Sequence, residues 1–238
     1  MSNRPNHPVQ IPAERVRLEG TLSIPQNPQG IVLFAHGSGS SRHSPRNRAV
    51  AQALYDANLA ALLMDLLTPE EEEIDQQTRH FRFNINLLAS RLINATDWLM
   101  QQPETSMLRA GYFGASTGAG AALVAAARRA EVIYAVVSRG GRPDLAGPAL
   151  AQVCAPTLLI VGGHDPQVIA LNQQALTQLR GEKKLVIVPG ATHLFEEPGT
   201  LEEVARLARD WFLRHLPAAD QRPFPPLQPE EPQASQTP

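Results

Sequence analysis

Three residue types that together perform acyl transfer stand on three short glycine-containing segments. They are Ser116 in Gly114-Ala115-Ser116-Thr117-Gly118, Asp165 in Gly162-Gly163-His164-Asp165, and His193 in Gly190-Ala191-Thr192-His193. Asp165 follows Ser116 by 49 residues, and His193 follows Asp165 by 28. A serine hydroxyl is a weak nucleophile until a base takes its proton, and imidazole titrates close enough to neutrality to be that base. A carboxylate on the far ring nitrogen holds the tautomer and stabilises the imidazolium that forms. The G-x-S-x-G pattern suits a sharp strand-to-helix turn from which the hydroxyl protrudes. The bland reading of such a pattern is a glycine turn that packs a helix tightly on a sheet. Here the apolar Tyr112-Phe113 precedes it and an alanine-rich segment, 119–127, follows it, as the catalytic reading requires.

Two other acids compete with Asp165. Asp65 ends the apolar run 60–64, and Asp144 follows the run 132–137, although several residues beyond its end. Acyl transfer also develops negative charge on the carbonyl oxygen, which needs preorganised donors. The N–H of Thr117, opening the helix after Ser116, and that of Ser38, in the turn His36-Gly37-Ser38-Gly39, are the candidates. His36 has no H-E-x-x-H or H-x-x-E-H spacing around it, so it is expected to brace its loop by hydrogen bonds rather than bind metal. Arg139, Arg142 and Arg42 stand on loops facing the same side, and a guanidinium grips planar carboxylate or phosphate with two parallel bonds. Two readings stand: they brace loops, pairing with Asp144 or with carbonyls, or they bind a negative charge on the substrate near its scissile carbonyl.

The elements that must position these groups are legible as an alternation of short β-rich runs with longer segments of helical period. A hairpin is expected over 16–24, turning at Glu19-Gly20, then strands at 31–35, 60–64, 112–115, 132–137, 157–161 and 185–188. Helices are expected at 45–57, 82–100, 117–129, 167–179 and 201–216. The segment 66–79 carries four consecutive acids, Glu70 to Glu73, and reads as an exposed loop or helix start. The resulting domain is 15–216, preceded by an arm, 1–14, and followed by a proline-rich tail, 217–238, too poor in apolar residues to order itself. Only about twenty residues separate 137 from 157, too few for a large cap domain.

At 238 residues the chain supports one sizeable core, and a net charge of -2 gives no reason to expect nucleic acid or anionic membrane as a partner. Its single cysteine, Cys154, permits no intrachain disulfide and is expected as a small buried residue. The first fifteen residues lack an apolar signal core and no run approaches a membrane span, so the expected location is the cytoplasm. No cofactor or metal is expected, and the chain carries no indication of oligomeric state.

With its elbow, its His-Gly turn and its two late loops, the sequence resembles the α/β-hydrolase superfamily, and within it the dienelactone hydrolase-like group, over roughly 15–216. The resemblance implies an α/β fold: a mostly parallel sheet of about eight strands with an N-terminal antiparallel hairpin, helices on both faces and no large cap. Dienelactone hydrolases proper use cysteine where this elbow has Ser116, so their lactone substrate is not carried over. The implied activity is hydrolysis of a small carboxylic ester through an acyl-enzyme on Ser116. A thioesterase or peptidase on the same residues, or a non-catalytic binding protein of the same fold, are the alternatives.

Overall fold

Residues 6–217 are described by the computed structural model, and their apolar runs pair into one sheet of eight strands. These are β1 (His7–Ala13), β2 (Val16–Ser23), β3 (Gly30–Ala35), β4 (Leu59–Met64), β5 (Ala110–Ala115), β6 (Ile133–Arg139), β7 (Thr157–Gly162) and β8 (Lys183–Val188). Their order is β1-β2-β4-β3-β5-β6-β7-β8, and all pairings are parallel except β1 with β2 and β2 with β4. Strands β3 to β7 are buried along their whole length, which is why they read as continuous hydrophobic runs rather than alternating ones. Alternation survives in where the side chains go: Ile31 and Leu33 face one layer, Val32 and Phe34 the other. The first layer is closed by α3 (Ile85–Met100), α4 (Thr117–Arg128) and α5 (Pro166–Gln178), the second by α1 (Pro45–Asp56) and α6 (Thr200–His215). This is the mostly parallel, two-sided architecture with an N-terminal hairpin that the sequence implies. No described helix is long and apolar enough to cross a membrane.

Two expectations change. The hairpin turns at Glu14-Arg15, not Glu19-Gly20, so most of the supposed arm is β1 and pairs with β2 from His7↔Leu22 to Ala13↔Val16. Alternation along 16–24 was real, but it belongs to one strand. Residues 1–5 of the arm, and the tail beyond Pro217, lie outside the described residues. Cys154 is exposed, burial falling instead to its neighbours Val153 and Ala155. The 137–157 connection contains a 3-10 segment, Pro143–Gln152, interrupted at Gly147.

Of the two readings of the acidic segment, loop or helix start, the structure shows the helix start. Thr68 and Glu71 form a reciprocal capping box that starts α2 (Pro69–Thr78), with Glu70, Glu71 and Glu72 in its first turn where the helix dipole favours them. The Arg91 guanidinium, on α3, donates to both Glu71 oxygens at 2.5 and 2.6 Å and to the Leu66 carbonyl at 2.6 Å. Asp75, fully buried, accepts from the N–H groups of Phe81 and Arg82 and from Arg82 Nε. Removing Arg91 leaves Glu71 half-buried and uncompensated. Arg91→Met is therefore expected to cost about 2 kcal/mol, between an exposed pair and a fully buried one. Urea unfolding measures this, and a loss below about 0.5 kcal/mol would show that packing alone holds the segment.

Candidate active site

Strand β5 ends at Ala115 and α4 begins at Thr117, so Ser116 must make the whole turn. It does so at φ 50, ψ -122, a conformation that costs energy for any residue bearing a Cβ. Close backbone approach permits it. A Cβ on Gly114 would sit 2.4 Å from the Ala119 Cα, and one on Gly118 would sit 2.3 Å from the Ala35 carbonyl oxygen. The Ser116 N–H donates to the Arg139 carbonyl at 3.2 Å, and the Ser116 carbonyl accepts from the Arg142 N–H at 3.0 Å. The Ser116 side chain makes no capping bond to α4, which leaves its hydroxyl unspent on the helix.

Asp165 is the residue before α5, a place where aspartate ordinarily caps the helix with its carboxylate. Here the carboxylate makes no capping bond and instead accepts from His193 Nδ1 at 2.6 Å. That bond fixes the proton on Nδ1 and leaves Nε2 with its lone pair, the arrangement a general base requires. Two bonds clamp the loops that carry the pair: Gly163 N–H to the Val188 carbonyl at 2.9 Å, and His164 N–H to the Ala191 carbonyl at 2.9 Å. Gly162 makes the clamp possible, since a Cβ there would lie 2.5 Å from the carbonyl oxygens of Ala191 and Thr192. Gly140, in the left-handed region, lies against the imidazole: a Cβ built on it would be 3.5 Å from His193 Nδ1 and Cε1. The segment that follows β6 thus touches both Ser116 and His193.

Both rival acids are occupied elsewhere. Asp65 accepts the Arg42 N–H at 2.6 Å and its guanidinium as well, while Glu19 takes another Arg42 nitrogen at 2.5 Å. Asp144 is gripped bidentately by Arg142 at 2.8 and 2.7 Å. These pairs correct the expectation for Arg42 and Arg142, whose guanidiniums brace loops. Arg139 differs, being 7% exposed and stacked over Phe195 with its guanidinium carbon 6.0 Å from the ring centroid.

The expected oxyanion donors also part company. Thr117 N–H heads α4, but the Ser38 N–H donates to Thr117 Oγ1 at 2.9 Å and is spoken for in this structure. His36 braces its loop. Its Nε2 accepts from the Leu66 N–H at 3.0 Å, so Nδ1 carries the proton and donates to the Gly37 carbonyl at 2.9 Å. Sequence reasoning missed the Phe195 and Thr117 side-chain contacts, which join residues too distant in the chain to signal each other.

Residues 18–216 match the model of the dienelactone hydrolase family. A solved dienelactone hydrolase from Anabaena variabilis is 63% identical, covers 90% of this chain and 99% of its own, and superposes with a TM-score of 0.88. Proteins of Mycobacterium tuberculosis provisionally named phosphoribosyl transferases are 62% identical over 208 residues, 87% of this chain and 46% of theirs. The chain therefore spans about half the length of the curated relatives it matches. Est1E from Butyrivibrio proteoclasticus shares the fold at 16% identity, with a TM-score of 0.72 over 87% of this chain and 98% of its own.

The His36 bonds carry a pH dependence. Burial lowers its pKa from the ordinary 6.5, against the raising effects of the Gly37 carbonyl and of Asp65 and Glu72. With the folded value depressed, the neutral ring's contribution to stability is complete above pH 6.5 and is lost as pH falls through the folded value. Protonation would also set a second donor against the Leu66 N–H. His215, depressed mainly by burial, acts in the same direction. The free energy of unfolding should fall between about pH 7 and about pH 5, and His36→Asn should remove part of that slope. Parallel pH curves for the two proteins would exclude His36 as its source.

Proposed function

Because the chain belongs to the dienelactone hydrolase family, we propose that it is a serine hydrolase that cleaves a carboxylic ester of a small substrate through an acyl-enzyme on Ser116. One observation carries the reading: Ser116 is held at a strained strand-to-helix turn with no capping bond from its hydroxyl, and the segment after β6 that bonds its peptide groups lies through Gly140 against the His193 imidazole, whose Nδ1 is bonded to Asp165 at 2.6 Å. In this mechanism His193 Nε2 takes the Ser116 proton as Oγ attacks the carbonyl, and returns it to the leaving alcohol. Asp165 stabilises the imidazolium in between. Water, deprotonated by the same nitrogen, then releases the acid. The Thr117 N–H supplies one donor to the oxyanion. The Ser38 N–H supplies a second once the Thr117 hydroxyl turns away from it.

The transferase name of the mycobacterial relatives is given to proteins about twice the length of the matched segment. For that segment the Ser116, His193 and Asp165 geometry favours hydrolysis. Thioesters and activated amides share this chemistry, and turnover of p-nitrophenyl acetate, acyl-CoA and aminoacyl-anilide would rank the three.

Ser116→Ala should lower p-nitrophenyl ester turnover by roughly 10³-fold or more and abolish labelling by a fluorophosphonate probe, with the fold intact. Turnover within about tenfold of wild type would remove Ser116 from the mechanism. The acids are separable in the same assay. Asp165→Asn should cut kcat by a similar order because the amide favours the wrong His193 tautomer, whereas Asp144→Asn, which only releases Arg142, should cost less than about threefold.

A further inference from the structure

A guanidinium withdrawn from water needs an anion, and Arg139 has none on the described chain. It is 7% exposed, its Nε has no hydrogen-bond partner, and the aromatic face of Phe195 is the neighbour its charge finds. Its pKa is lowered to about 10, by burial first and by the positive charge of Arg46 second, so the charge that acts on it repels it. Arg46 stands in the first turn of α1, at the positive end of the helix, and its own Nε is also buried without a partner. Arg46 shares one nitrogen with Glu196 at 3.1 Å, a carboxylate whose side chain is 63% exposed. Desolvating a cation without a counter-ion is expensive, and two neighbouring cations with unspent donors compound the cost. Such an arrangement persists where an anion from outside completes it.

We propose that Arg139 and Arg46, at the N-terminus of α1, form a binding site for a phosphate group carried by the acyl substrate. The inference rests on the reading of Ser116 as nucleophile and adds the substrate's chemical class. Arg139 pairs with Ala115 in the β5–β6 register, and its carbonyl accepts from the Ser116 N–H, so the backbone that carries this guanidinium is bonded to the nucleophile's own. Arg139 continues the face of Ala135 and Val137, toward α1 and α6, and Phe195, over which it lies, follows His193 by two residues. The unspent donors lie on two different elements, Arg139 at the end of β6 and Arg46 on α1. A planar carboxylate would be used up by one guanidinium fork, whereas a phosphate monoester offers three acceptor oxygens and close to two charges.

The test uses the full chain and three aryl esters of equal length whose acyl portion ends in methyl, carboxylate or phosphate. In wild type, kcat/KM for the phosphate ester should exceed that for the methyl ester by about tenfold or more, and Arg139→Gln and Arg46→Gln should each reduce that ratio by about tenfold. Arg139→Lys should keep part of it, as a point charge without the fork. Inorganic phosphate, at ionic strength held constant with chloride, should raise the melting temperature of wild type but not of Arg46→Gln. Arg46 is partly exposed, so that variant answers the question even if Arg139→Gln does not fold. A ratio unchanged in both variants, or a carboxylate ester preferred as strongly as the phosphate one, would overturn the proposal. Failure of the hydrolase reading looks different: no ester would turn over and no fluorophosphonate would label Ser116, while the phosphate-dependent melting shift would still report on the two arginines.

Discussion

The left-handed backbone of Ser116 is the constraint from which the rest of the site follows. A residue with a Cβ stays at φ 50 only if its surroundings over-determine it, and here they do so from three sides. From below, β5 leads in with Gly114 pressed against Ala119. Beside it, Gly118 lies against the end of β3, where the His36 loop starts. On the far side, the Arg139 carbonyl and the Arg142 N–H hold the two peptide groups of the turn. The strain is thereby distributed over β3, β5 and β6, three adjacent parallel strands whose buried cores cannot shift independently. A nucleophile mounted this way keeps its hydroxyl in place without spending a hydrogen bond on it.

The partners of Ser116 depend on the same kind of contact. Asp165 and His193 are brought to 2.6 Å because the loops after β7 and β8 touch through Gly162, with no side chain between them. Parallel neighbours deliver both loops to the same edge of the sheet, which is the general reason sites in such folds form beyond the carboxyl ends of strands. The helix cap that Asp165 forgoes is the local cost of aiming it at the imidazole.

Much of this was legible in the sequence because it is local. Every central strand and five of the six helices were visible as period and composition, and the Gly, Ser, Asp and His segments could be placed at strand ends from order alone. What failed was less local. Alternation over 16–24 does not say whether one strand or two carry it, and Glu14-Arg15 offers none of the glycine or asparagine that usually marks a tight turn. For α2 the sequence left a loop and a helix start open: Thr68-Pro69-Glu70-Glu71 is a capping box with proline at the first helical position, while four adjacent acids argued for solvent. Arg91, twenty residues away, resolves that conflict by neutralising Glu71, and no window of sequence contains both ends of the pair.

Charge pairing sets the same limit on the arginines. Arg42, Arg139 and Arg142 were equivalent in sequence, each a cation on a loop at the catalytic edge. Their difference is entirely one of what the fold brings near them. Asp65 and Glu19 reach Arg42, and Asp144 reaches Arg142, so two of the three charges are balanced within the chain. The same contacts withdraw Asp65 and Asp144 as partners for His193, so a single set of ion pairs sorts both the acids and the arginines. Arg139 continues a strand face whose earlier members, Ala135 and Val137, are core residues, and it enters the layer that α6 covers over β6, where no ion pair reaches it from the described residues. Its charge is thus withdrawn from water yet left unbalanced, on a residue whose carbonyl holds the nucleophile's N–H, which is the combination that distinguishes a group held for a ligand from one held for the fold.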